Sequence, residues 1–119
     1  MGQFPIVWWE LASHDANASA EFFKKVFDWD FIYDKETEIF DLKNDFPDAF
    51  KGGGIFTLKQ AKLPFLTIYI KVDDIMKMRD KIAENGGCIT IEPVEIFPKT
   101  WICLFNEPSG VTFAIIEKR

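Results

Sequence analysis

The chain has a single histidine, His14, and two cysteines, Cys88 and Cys103, among 119 residues. One copy therefore cannot supply the two histidines of a facial metal triad. The cysteines are not spaced as a metal knuckle or as a CxxC redox pair. Because there is neither a disulfide framework nor a signal peptide, we expect a reducing, cytoplasmic location.

Long apolar runs and positive charge are also lacking. No apolar run approaches the roughly 20 residues that span a bilayer, and the net charge is -5. We therefore expect no membrane and no nucleic acid as partner. Aromatic residues are abundant, with 13 Phe and 4 Trp, and such side chains line ligand cavities as well as cores.

The chain begins with a strand that runs directly into a helix. Alternation predicts the strand over Ile6 to Ala12, and Ser13 or Asp15 is the expected N-cap of the helix. Apolar residues spaced by three and four predict one buried helical stripe: Ala18, Phe22, Phe23, Val26 and Phe27. Three further strands are predicted at 29–33, 36–42 and 52–58.

The same order of patterns then starts again after a short linker at 60–64. The clearest strand is Phe65 to Val72, and Asp73 or Asp74 is the expected cap of a second helix. Ile75, Met78 and Ile82 form the apolar stripe of that helix, and Asn85-Gly-Gly ends it. Three more strands are predicted at 88–91, 100–105 and 111–117.

The repeat predicts an α+β fold in a single domain, 1–119, made of two βαβββ modules, 5–59 and 65–118. We expect the modules to form a curved, cup-like mixed sheet with a helix on the outer face of each module. A ligand would lie inside the cup. By strand alternation, the side chains expected to face it are Trp8, Glu10, Thr67, Tyr69, Lys71, Trp101, Cys103 and Ala114.

Glu10 is the one charged residue in an otherwise apolar strand. A carboxylate there is costly unless it is paired or faces a wet cavity. Glu10 can pair structurally with Lys71 or Tyr69, or it can anchor or deprotonate a bound molecule if burial raises its pKa toward neutrality. We expect Cys103 to be an inert buried thiol, since no histidine is placed to activate it, and His14 to be an exposed loop residue.

Several motifs resemble the vicinal oxygen chelate superfamily, which includes glyoxalase I, bleomycin-resistance proteins and extradiol dioxygenases. They are Val7-Trp-Trp-Glu-Leu11, Asp15 with Phe22-Phe23, Val26-Phe-Asp-Trp29, Gly52-Gly-Gly54, Tyr69-Ile-Lys-Val-Asp-Asp74, Asn85-Gly-Gly87 and Asn106-Glu-Pro-Ser-Gly110. The resemblance covers almost the whole chain and is strongest to an uncharacterised, glyoxalase-related branch. It implies the paired βαβββ fold and a homodimer.

The resemblance also implies where a catalytic metal would bind in related enzymes. The four ligand positions fall on Trp8, on residues 55–58 (where only Thr57 has a side-chain oxygen), on Thr67 and on Ala114. None of these is a good ligand for Zn, Ni, Fe or Mn. We therefore expect no metal and no cofactor.

Three hypotheses for function follow. The first is a metal-free domain that binds a small organic molecule in the cup. The second is a glyoxalase-like lyase or isomerase that uses Glu10 as general base, with or without a metal. The third is a structural or regulatory domain, which an exposed, continuous aromatic face would favour. The sequence does not decide whether the protein is an enzyme.

Overall fold

The computed structural model describes residues 4–43, 52–59 and 64–119, so all but Pro64 of the expected linker lies outside the described residues. In these ranges the chain forms two helices and eight strands. In order they are β1 (Ile6–Ser13), α1 (Ala16–Phe27), β2 (Asp30–Asp34), β3 (Ile39–Lys43), β4 (Gly53–Thr57), β5 (Phe65–Lys71), α2 (Ile75–Glu84), β6 (Cys88–Phe97), β7 (Thr100–Asn106) and β8 (Thr112–Lys118). Neither helix found in these ranges is long and apolar enough to cross a membrane.

The chain divides into two compact units with the same internal connectivity. The N-terminal unit is Trp8–Leu66, and the C-terminal unit is Met1–Val7 with Thr67–Arg119. The strand order is β2-β3-β4-β1 in the former and β5-β8-β7-β6 in the latter. In each unit the strand before the helix runs parallel to the last strand, whereas the other pairs are antiparallel. The predicted α+β class and the repeated βαβββ order with mixed pairing are confirmed.

Helix α1 buries a different stripe from the one predicted. Ala16 and Ala20 are buried and Phe23 packs beside them, whereas Phe22, Val26 and Phe27 are each more than half exposed, at 55%, 57% and 58%. The sheet supplies bulky side chains here, among them Trp9 and Phe31. The helix therefore approaches the sheet through small residues, and most of its phenylalanines are left outside.

Helix α2 follows its sequence pattern. Ile75 is fully buried, and Met78 and Ile82 pack on the same core cluster as predicted. Asp74 is the N-cap, since its side chain accepts a hydrogen bond from Lys77 N, and Asn85 ends the helix.

The last strand of each module holds the first amide of the helix in that module. Thr57 Oγ1 on β4 accepts from Ala16 N at 2.8 Å, and Glu117 Oε1 on β8 accepts from Ile75 N at 2.7 Å. These contacts satisfy N–H groups that a helix cannot satisfy by itself. Glu117 is 5% exposed and also accepts from Arg119 Nε.

Strand β6 is longer than predicted because Pro93 does not end it. In the described part of the sheet, β6 has a neighbour on one side only, and its pairing with β7 shifts between Ile91 and Val94. Proline is tolerated at such an irregular edge position, where its missing N–H costs no regular ladder bond.

We expect Glu117→Gln to lower the free energy of unfolding by about 2 kcal/mol near neutral pH, since hydrogen bonds to a buried charged group are lost. The Arg119 guanidinium, followed by the Ile75 amide, lowers the pKa of Glu117. A carboxyl whose pKa is lower in the folded state stabilises the fold above its unfolded pKa, and this contribution is lost as pH falls through the folded pKa.

The difference in urea unfolding between wild type and Glu117→Gln should therefore shrink between neutral pH and about pH 3. The matched control is Glu84→Gln at the exposed end of α2, which should change stability by less than about 0.5 kcal/mol. An equal, pH-independent loss in both variants would contradict the assigned role of Glu117.

Candidate functional site

The candidate site lies on the face of the N-terminal sheet that is opposite α1. Trp9 and Leu11 pack toward the helix cluster, so alternation along β1 places Trp8 and Glu10 on the other face. Trp8 Nε1 donates a hydrogen bond to Glu10 Oε2 at 3.1 Å. The indole and the carboxylate thereby fix each other's position.

A second carboxylate shares this face with Glu10. Glu10 pairs with Gly54 on β4, and Gly54 pairs on its other side with Asp41 on β3. Residues that are directly opposite across strands share a face. Since neighbouring strands are about 4.8 Å apart, the Cα atoms of Glu10 and Asp41 are about 10 Å apart, with no side chain on the residue between them.

The sequence analysis did not identify Asp41 as a second carboxylate on this face. Asp41 carries the same signal as Glu10, one acid in an apolar strand (Ile-Phe-Asp-Leu). The sequence does not show on which face of the sheet Asp41 lies, because β3 is short and the register of β3 on β4 depends on a long-range pairing. Partial burial, and then the charge of Asp34, raise the pKa of Asp41.

The C-terminal unit carries four of the predicted site residues on the face opposite α2. Ile70 packs on the α2 core, so Thr67, Tyr69 and Lys71 lie on the other face of β5. Tyr69 pairs with Ala114 on β8, and both are buried, as is Thr67. Lys71 is exposed.

Trp101 and Cys103 lie on the opposite face of the C-terminal sheet from the one predicted. Cys103 pairs with Ile115, and both belong to the cluster under α2, against which Trp101 also packs. The sequence analysis placed Cys103 and Ala114 on the same face, whereas the register pairs Cys103 with Ile115 and Ala114 with Leu104. Burial raises the pKa of the Cys103 thiol to about 11, so the thiol is protonated and unreactive.

The residues at the ligand positions implied by the resemblance do not fit a metal. The Trp8 nitrogen is a donor and is bonded to Glu10. The hydroxyl of Thr67 donates a hydrogen bond to Thr112 O at 2.7 Å, and the hydroxyl of Thr57 accepts one from Ala16 N. The side chain of Ala114 has no atom that could bind a metal. Among the residues that the structure describes, no group of three His, Cys, Asp or Glu side chains could hold a metal ion. His14 is exposed before α1, as predicted.

We expect Asp34→Asn to lower the pKa of Asp41, because the substitution removes a negative charge that disfavours ionisation of Asp41. Carbon-detected NMR of the carboxyl groups across a pH series measures this shift directly. Asp30→Asn is the matched control, since Asp30 lies on the same strand and face but is not a source of the shift in Asp41. A pKa of Asp41 that moves equally in both variants would contradict the assignment.

Solved structures with the same fold include a hypothetical protein from Bacillus halodurans C-125, which matches with a TM-score of 0.67 at 15% identity, over 99% of this chain and 96% of that one. A methylmalonyl-CoA epimerase in complex with methylmalonyl-CoA and NH4+ matches with a TM-score of 0.65 at 14% identity, over 98% and 96%. A Streptomyces coelicolor methylmalonyl-CoA epimerase in complex with 2-nitronate-propionyl-CoA matches with a TM-score of 0.65 at 13% identity, over 98% and 99%.

At these identities the likeness shows the fold alone. No curated protein sequence matches the chain. The model of the Glyoxalase/Bleomycin resistance protein/Dioxygenase superfamily matches residues 6–115, which spans nearly all of both modules and agrees with the motifs read from the sequence. The chain therefore belongs to the Glyoxalase/Bleomycin resistance protein/Dioxygenase superfamily.

Proposed function

We propose that the sheet face with Trp8 and Glu10 binds a small organic molecule without a catalytic metal. The observation that carries the proposal is the hydrogen bond between the Trp8 indole and the Glu10 carboxylate. It presents an oriented aromatic ring beside an oriented anion. Ligand sites typically combine such an apolar surface with a few fixed polar groups.

The surroundings of this pair support a ligand of limited size. Gly54 brings no side chain to the face, and Trp8 Cζ2 lies 3.1 Å from the position that a Cβ would take there. Ile39 Cγ2 lies 2.5 Å from the same position, so a ligand group between Glu10 and Asp41 would rest on the Ile39 and Trp8 side chains, with a carboxyl group on each side. In the C-terminal unit, Thr67, Tyr69, Lys71 and Ala114 stay ligand contacts predicted from the sequence, whereas Trp101 and Cys103 are withdrawn because they face α2.

A thermal-shift and calorimetric screen of aromatic metabolites, glycopeptide-type drugs and acyl-CoA esters tests the proposal. We expect a compound that stabilises the wild type to bind about tenfold more weakly to Glu10→Gln, because a charge-assisted hydrogen bond is lost. Trp8→Leu should weaken it by a similar factor, since aromatic stacking is lost.

The control is Glu21→Gln, which removes the same charge from an exposed position on α1. Binding to this variant should match the wild type. The proposal fails if no compound stabilises the protein, or if every stabilising compound binds equally well to Glu10→Gln and to Glu21→Gln.

The second candidate is an enzyme that moves a proton on a carbon next to a carbonyl group. The pairing of Glu10 and Asp41 across Gly54 favours it. A carboxylate that accepts a proton and a carboxyl group that donates one are the two groups such a reaction needs. The raised pKa of Asp41 suits the donor, and methylmalonyl-CoA epimerases have the same fold.

Incubation of the protein with methylmalonyl-CoA in deuterated water tests this candidate. Removal of the proton at C2 and its replacement from solvent would exchange one hydrogen of the substrate for deuterium, which mass spectrometry detects. We expect Glu10→Gln and Asp41→Asn each to slow this exchange by about a hundredfold or more, while Glu21→Gln leaves it unchanged. Exchange at the rate of the protein-free solution would exclude methylmalonyl-CoA as the substrate.

Turnover of the methylglyoxal hemithioacetal and metal analysis of the purified protein test the glyoxalase-like form of the same candidate. Stoichiometric Ni, Zn or Fe would overturn the metal-free proposal.

A homodimer and a cytoplasmic location are also part of the proposal. On α1, the side chains of Phe22, Val26 and Phe27 are exposed and form an apolar surface that a second copy of the chain can cover. Sedimentation analysis of the molecular mass in solution distinguishes a monomer from a dimer.

A further inference from the structure

A separate cavity lies within the N-terminal unit, beside the start of α1. Its volume is about 410 Å³, which is within the range of small-molecule sites. It lies between the first turn of α1 and the β2–β3 hairpin, and its wall includes Asp15, Tyr33, Glu38, Phe40 and Lys59. Tyr33 pairs with Phe40 across the strands, and Phe40 packs with the α1 cluster, so both lie on the opposite side of the sheet from Glu10.

The wall of this cavity combines an aromatic surface with acidic groups. The Tyr33 and Phe40 rings are 4.8 Å apart and inclined at 50°. The charged groups in the wall are the carboxylates of Asp15 and Glu38 and the ammonium group of Lys59. Their sum is negative, as is the net charge of -5 on the whole chain. An aromatic face next to a carboxylate attracts an organic cation through both groups.

Two observations make an anionic ligand less suitable for the cavity. Two of the leading amides of α1 are already occupied, Ala16 N by Thr57 Oγ1 and Ala18 N by Asp15 Oδ1. Lys59 is also engaged, since its Nζ donates to both carboxylate oxygens of Glu38, at 3.3 and 3.1 Å. This ion pair is exposed, with side chains 74% and 58% accessible, so a competing ammonium group can replace Lys59 at little cost.

We propose that this cavity binds small organic ammonium compounds, with the apolar part of the ligand on Tyr33 and Phe40 and the ammonium group at Glu38. The site is independent of the one with Trp8 and Glu10. The proposal for this cavity is therefore tested independently of the function proposed for that face.

Two variants of the ion pair should change affinity in opposite directions. The probe is phenethylammonium, titrated into the full chain with amide NMR detection, and its isosteres are 2-phenylethanol and 3-phenylpropanoate. We expect Glu38→Gln to weaken phenethylammonium binding about fivefold, because the carboxylate is lost and Lys59 repels the ligand. Lys59→Gln should strengthen binding about threefold, because Glu38 is released from its partner.

The controls separate a site from general attraction to an acidic protein. Glu36→Gln removes the same charge from the same hairpin, outside the wall of the cavity, and should leave the affinity unchanged. Tyr33→Leu keeps an apolar side chain but removes the ring, and should weaken phenethylammonium binding about threefold. Amide shifts confined to the cavity, with weaker binding of both isosteres, would support the proposal.

Three results would overturn it: equal binding of all three probes, tighter binding of 3-phenylpropanoate, or an equal loss of affinity in Glu36→Gln and Glu38→Gln. Because no variant alters Trp8, Glu10 or Asp41, none of these results bears on the function proposed for the other face.

Discussion

Two adjacent tryptophans on β1 lie against two adjacent glycines on β4, Trp9 against Gly53 and Trp8 against Gly54, and the N-terminal unit depends on this match. Trp9 pairs with Gly53, where an added Cβ would fall 2.0 Å from Trp9 Nε1. At Gly54 an added Cβ would meet Ile39 at 2.5 Å and Trp8 at 3.1 Å. The indoles therefore cover backbone on both sides of the strand. A side chain at Gly53 would displace Trp9, and one at Gly54 would displace Ile39 and crowd Trp8.

The same register determines the candidate site. It places Glu10 opposite Gly54, and the pairing of Gly54 with β3 then brings Asp41 to the same face. A slip of one residue would exchange the two faces of β1. It would move Glu10 under the helix and Trp9 away from the aromatic cluster that it forms with Trp29, whose ring centroid is 6.4 Å away. Core packing and site geometry are thus set by one constraint.

Local patterns predicted most of the fold, and long-range pairing explains what they missed. The alternation of β1, the stripe of α2 and its Asp74 cap depend on near neighbours, and the structure agrees with them. The face of Cys103 and the position of Asp41 depend on which strand lies alongside and in which register, information that periodicity does not contain. The stripe of α1 was misjudged because the size of the sheet residues, not hydrophobicity alone, decides which side of a helix is buried.

The contacts that close the two helix termini connect distant parts of the sequence. The bond from Ala16 N to Thr57 joins residues 41 apart, and the bond from Ile75 N to Glu117 joins residues 42 apart. The first amide of each helix lacks this side-chain partner until the fourth strand of its own module is in place. Each βαβββ module therefore gains its last stabilising bond when its last strand docks, which couples local helix formation to the slow, non-local step of sheet assembly.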